Sequence, residues 1–210
     1  SYIFATMMII SPTRKSTVTN ILIIINVVVY IILAIISGNI FVLDVSKIAW
    51  IAQYNPFVIH YGFWWTLFTS MFVHFDIVHI LSNMFFLYLI GNRLELMVTT
   101  KKYLTIYFGG GLVGNILTLL IPNVISAGAS GAIFSIFAYL IVVEYYTANR
   151  GYKTAIYLAI IMFIINMGVS TNLFAHFGGM ITGLIIGYLD TKKYSKKVDY
   201  YTIPGVIEYY

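Results

Sequence analysis

The sequence predicts an all-α membrane protein, a bundle of six transmembrane helices with both termini on the cytoplasmic side. Three observations carry this. Apolar residues make up 60% of the 210-residue chain and charged residues only 9%, with a mean hydropathy of +0.92. A soluble domain needs roughly 25% charged residues to cover its surface, so lipid covers most of this one. The apolar residues gather in six segments, and the basic residues fall in alternate loops between them.

In chain order, spans are expected at about 18–36, 72–92, 103–121, 131–147, 154–168 and 173–189. Several are a little short of the ~20 residues that cross a bilayer upright. The expected organisation is an N-terminal cytoplasmic segment (1–17), a six-helix domain (18–190) and a basic, aromatic tail (191–210). Residues 1–10 are apolar but too short to span, and no charged stretch precedes them, so a signal peptide is not expected. Arg14 and Lys15 precede the first span, and Arg93, Lys101 and Lys102 follow the second. Arg150 and Lys153 follow the fourth; Lys192, Lys193, Lys196 and Lys197 follow the sixth. The other loops hold only Lys47, so the positive-inside rule puts both termini in the cytoplasm. The net charge of +5 thus follows membrane topology, and nucleic acid is not an expected partner. Loop 37–71 is long and carries Trp50, Trp64 and Trp65. It is expected to lie in the bilayer surface, covered by its own helical turns, as an aromatic belt. With no cysteine, a disulfide scaffold, a thiol nucleophile and a cysteine-ligated metal are excluded.

Polar groups inside spans are costly and usually have a task. The ones of interest here are His74, His79, Asn83, Ser130 and His176. Spans two, four and six run from outside to inside, so depth can be counted up from their cytoplasmic ends. Ser130 stands about 21 Å above Glu144, His79 about 21 Å above Arg93, and His176 about 24 Å above Lys192. Three helices therefore deliver polar groups to one level below the outer surface. His79 and Asn83, spaced i,i+4, share a helix face. His74 would project about 140° from His79 on a continuous helix and reads as a structural or rim residue. Ser130 lies between Gly128-Ala129 and Gly131 where span four should start. A helix N-terminus there favours a developing oxyanion, though simple capping by Ser also accounts for the pattern. In span six, Gly179, Gly183 and Gly187 form an i,i+4 stripe that permits close helix contact, with His176 on much the same face.

These residues resemble the rhomboid family of intramembrane serine proteases. The resemblance rests on His74-x4-His79-x3-Asn83, Gly128-Ala129-Ser130-Gly131 and Ala175-His176-x2-Gly179-x3-Gly183, and covers roughly residues 18–190. It implies a rhomboid-like six-helix bundle and a Ser130–His176 dyad without a third acidic residue. It further implies an oxyanion site of His79, Asn83 and the Ser130 backbone N–H, with Gly91 and Glu95 structural at the cytoplasmic side. Two positions depart from the family pattern. Trp65-Thr66 stands where the family often has Trp-Arg, which bears on how the long loop is anchored. Phe134 stands one turn after the nucleophile where Tyr is frequent; it can pack on an imidazole but cannot donate a hydrogen bond.

The implied activity is that of an intramembrane serine endopeptidase acting on transmembrane segments of other membrane proteins, without a cofactor. Its place would be the lipid bilayer of a prokaryotic cell, with the active site opening to the outside. The rival classes are a transporter, a proteolytically inactive helix-binding relative and a zinc peptidase. Inverted repeats are not evident, Ser130 and His176 are both present, and His-Glu-x-x-His is missing.

Overall fold

The computed structural model describes residues 17–148 and 172–201. Helix α1, Thr17–Ser37, opens it. Its Thr19, Leu22, Asn26, Tyr30 and Leu33 are buried, while Ile21, Ile24 and Ile35 are exposed. The inward stripe at i,i+3 and i,i+4 spacing holds Thr19, Asn26 and Tyr30, and beyond the first turn the outward face is aliphatic, as suits a helix facing lipid. At 21 residues it is about 31 Å long, enough to cross a bilayer core.

Residues 38–76 form short elements: α2, Val45–Ile48; β1, Gln53–Tyr54; α3, Asn55–Tyr61; α4, Thr66–Thr69; and a 3-10 turn, Ser70–Phe72. Trp50, Trp64 and Trp65 are half-exposed on this segment. Buried amides do the anchoring. Gln53 Nε2 donates to Asn115 O at 2.9 Å, and Asn55 Nδ2 donates to Thr118 O at 2.7 Å and Ile121 O at 2.6 Å. Each such donor, if left unpaired, would cost about 1–3 kcal/mol. Trp65 Nε1 donates to Trp50 O at 3.1 Å, and Thr66 Oγ1 to Phe63 O at 2.7 Å. The loop is therefore held without an arginine at position 66.

The remaining elements are α5, Ile77–Phe86; a π turn, Leu87–Gly91; α6, Asn92–Met97; α7, Thr100–Thr118; β2, Ile125–Ser126; α8, Ser130–Ala148; and α9, Leu173–Tyr201. The segments α5 to α6 run on as one apolar helix, Ile77–Met97. Strands β1 and β2 pair antiparallel, with Gln53 opposite Ser126. Among the described residues three helices are long and apolar enough to cross a membrane: Thr17–Ser37, Ile77–Met97 and Leu173–Lys193. Ser130–Glu144 is a shorter apolar helix, buried through Ala132, Phe134, Ile136, Tyr139 and Val143. The expected fifth span, 154–168, lies outside the described residues.

Among the boundaries that differ from expectation, two have a clear physical cause. Span two was expected from residue 72, but α5 starts at Ile77, because Asp76 is extended and its side chain accepts the His79 N–H at 2.7 Å. Phe72, Val73 and Phe75 are apolar, so hydropathy alone runs past this cap. Span six was expected to end near 189, yet α9 continues to Tyr201. No Gly or Pro stands between Gly187 and Pro204 to stop it.

Helix α9 packs against α8 and α7 through glycines. A Cβ on Gly179 would overlap the Gly131 carbonyl, one on Gly183 the Ser135 carbonyl, and one on Gly114 the Ala175 carbonyl. At the end away from the loop, Arg93 pairs with Glu144, and Lys102 Nζ meets Asp190 Oδ1 at 2.8 Å. Arg93, on α6, and Glu144, on α8, are two of the reference points for counting depth, and their pairing puts these helix ends side by side. There too Glu95 accepts Val18 N, Thr19 N and Thr19 Oγ1 at 2.8, 2.9 and 2.8 Å. A buried carboxylate thus satisfies the free N–H groups at the start of α1. Gly91 admits this contact, since a Cβ there would stand 2.6 Å from Tyr103 Oη.

Candidate active site

The starts of α5, α8 and α9 lie at the loop end of the bundle and surround one cavity of about 340 Å³. Ser130 reaches it because β2 ends four residues earlier and the chain turns through Gly128 into α8. Gly128 has φ +124°, a conformation L side chains rarely adopt, and its N–H donates to Ser70 O at 2.9 Å. The turn leaves Ser130 as the first residue of α8, where backbone N–H groups have no intrahelical partner.

His176 sits in the first turn of α9. Asn172 caps that helix, its Oδ1 accepting Phe174 N at 3.1 Å and Ala175 N at 3.2 Å. Below, the Gly179–Gly131 approach draws α9 onto α8. Ser130 Oγ and His176 Nε2 are 2.8 Å apart. The imidazole is 4% exposed and stacks on Phe134, with ring centroids 4.3 Å apart and planes 29° apart. A serine hydroxyl at hydrogen-bond distance from a ring nitrogen held in one orientation is the geometry of an activated nucleophile and its base.

His79 and Asn83 come from α5, one turn apart. A Cβ on Gly128 would stand 2.7 Å from His79 Nε2 and 3.5 Å from Asn83 Nδ2, so both side chains lie against the turn that leads into Ser130. Asn83 is 5% exposed, and its Nδ2 has no hydrogen-bond partner among the described residues. Ser130, His176, His79, Asn83 and Gly128 all line the same cavity. Gly131, Phe134, Gly179 and Gly183 lie behind it and hold α8 and α9 together.

His74 is placed differently from the helical projection. It precedes α5 rather than belonging to it, so the angular count does not apply. Its ring is fully buried and meets His79 edge-on, with centroids 4.9 Å apart. It is a structural neighbour of His79, supporting the ring from behind. Sequence reasoning missed Asp76 and Asn172, the caps that start the helices carrying His79 and His176. An Asp or Asn directly before an apolar run is the signal that could have found both. Among the described residues no three His, Asp or Glu side chains are grouped to hold a metal ion.

Residues 61–193 match the rhomboid domain family. The chain is 31% identical over 145 residues to the putative rhomboid protease YdcA of Bacillus subtilis (strain 168), covering 65% of this chain and 72% of that protein. It is 32% identical over 139 residues to RHOMBOID-like protein 7 of Arabidopsis thaliana, covering 63% and 44%. With the Bacillus subtilis rhomboid protease GluP it shares 30% over 174 residues, covering 80% and 34%. The chain thus spans less than half the length of the latter two, and relatives occur in both a bacterium and a plant.

Proposed function

The chain belongs to the rhomboid family, an integral membrane family, and from that membership we propose that it is an intramembrane serine endopeptidase. The observation that carries the reading is the 2.8 Å contact of Ser130 Oγ with His176 Nε2 at the wall of a cavity. In this mechanism His176 Nε2 takes the Ser130 proton as Oγ attacks the scissile carbonyl. The oxyanion is held by the Ser130 backbone N–H, His79 and Asn83, groups placed before the charge develops. Collapse expels the amine, which leaves with the proton from His176, and the acyl group stays on Ser130. Water, activated by the same imidazole, then hydrolyses the ester. No cofactor is needed.

The substrates are transmembrane segments of other proteins, cut where small or helix-breaking residues loosen the helix. An intact helix hides its peptide bonds, and local unwinding exposes them. Six spans with both termini cytoplasmic, and a cavity opening to the outside, complete the reading; the alternation of basic loops supports it.

The test is cleavage of a reporter transmembrane substrate in proteoliposomes. Wild type should cut, and folded Ser130→Ala and His176→Ala should be silent. Equal cutting by all three would remove the dyad from the mechanism. Silence from folded wild type across several substrates would favour a helix-binding relative or a transporter.

A further inference from the structure

Asn172 uses every polar group of its side chain. Its Oδ1 caps α9, as described, while its Nδ2 donates to Ser126 Oγ and to Thr118 Oγ1, each at 2.8 Å. Both acceptors are buried, Ser126 at 5% exposure and Thr118 at 0%. Ser126 belongs to β2 and stands four residues before Ser130. Asn172 stands four residues before His176. The Ser126–Asn172 contact therefore joins the two segments that the Ser130–His176 contact joins, at the same 2.8 Å, four residues upstream on both segments.

From this we infer that Asn172 is a positioning residue for the dyad, a cross-link between the two chain segments that carry nucleophile and base. The glycine contacts fix how closely α9 approaches α8, but small facing surfaces leave rotation and slide less constrained. A hydrogen-bonded contact above His176 and the glycine seat below it hold the ring from both sides. Thr118, whose own hydroxyl donates to Gly114 O at 2.9 Å, extends the link to the end of α7. Ser126 is in turn fixed by its pairing with Gln53. Asn172 thus connects the base to the anchored loop as well as to the nucleophile. Misplacement of reacting groups by about 1 Å costs on the order of 10²-fold in rate, so this link bears on turnover more than on substrate affinity.

The inference rests on the dyad reading. Its test uses the full chain in proteoliposomes with the same reporter substrate, active sites being counted by fluorophosphonate labelling of Ser130. Asn172→Ser keeps a capping oxygen but is too short to reach Ser126 and Thr118. It should lower kcat per labelled site by about 10- to 100-fold, with KM within about twofold of wild type. Ser126→Ala leaves the cap untouched and should act in the same direction, less strongly. The double variant should be no worse than Asn172→Ser, because the two changes remove one interaction. Wild-type kcat per site in both single variants, a rise in KM alone, or losses that multiply in the double variant would overturn the assignment. Should Asn172→Ser not fold, Ser126→Ala decides alone: reduced kcat per site supports the link and unchanged kcat removes it. Absence of cleavage by wild type would overturn the dyad reading and this inference together, whereas cleavage indifferent to both substitutions overturns this one only.

Discussion

Asn83 illustrates what a single side chain contributes here. Its carboxamide nitrogen lies beside Gly128 on the cavity wall with no protein partner among the described residues, so it is a donor available to an acceptor entering the cavity. A tetrahedral oxyanion is such an acceptor. Asn83→Ala should therefore lower kcat by about 10²-fold while KM changes little, since the donor acts in the transition state. Steady-state cleavage rates check this; an unchanged kcat would take Asn83 out of the proposed oxyanion site. The residue was legible in the sequence because His79 and Asn83 share one face of a helix. His74 was not legible in the same way, because an apolar run hid the non-helical turn at 73–76.

At the scale of elements, glycine sets the position of α9. Gly179→Ala would drive a methyl group into the Gly131 carbonyl, and backbone atoms on both sides leave no flexible group to give way. The substitution should destabilise the protein by roughly 1–3 kcal/mol or displace α9. A lowered unfolding temperature in detergent, accompanied by lost cleavage, is the expected result; wild-type stability and activity would contradict this packing. The stripe was readable because its i,i+4 spacing survives any error in helix ends. Helix starts were less readable: Asp76 and Asn172 act through geometry that hydropathy does not record. The π turn at Leu87–Gly91 was not readable at all, as its residues fit an α-helix equally well. What accompanies it is Gly91, seated against Thr19 and Tyr103 where the N-terminus of α1 rests on Glu95.

Across the described residues, polarity is arranged along the bundle. Charged pairs Arg93–Glu144 and Lys102–Asp190 gather at one end, the cavity lies toward the other, and aliphatic faces lie between. Apolar segments made the membrane class and most of the described helices legible, since lipid enforces long apolar runs. The loop's anchoring was not, because it depends on Gln53 and Asn55 finding carbonyls far along the chain, and on Asn115 Nδ2 donating back to Leu67 O at 2.7 Å. If the loop lies in the bilayer surface, lipids brominated near the headgroup should quench tryptophan emission more than lipids brominated at the chain ends. The reverse order would place the loop elsewhere. The chain has three tryptophans, and all three, Trp50, Trp64 and Trp65, belong to this loop. The protein therefore carries its own optical probe, silent about α5, α8 and α9 and reporting on the loop alone. A spectral shift on adding substrate would time the loop's response without any attached dye.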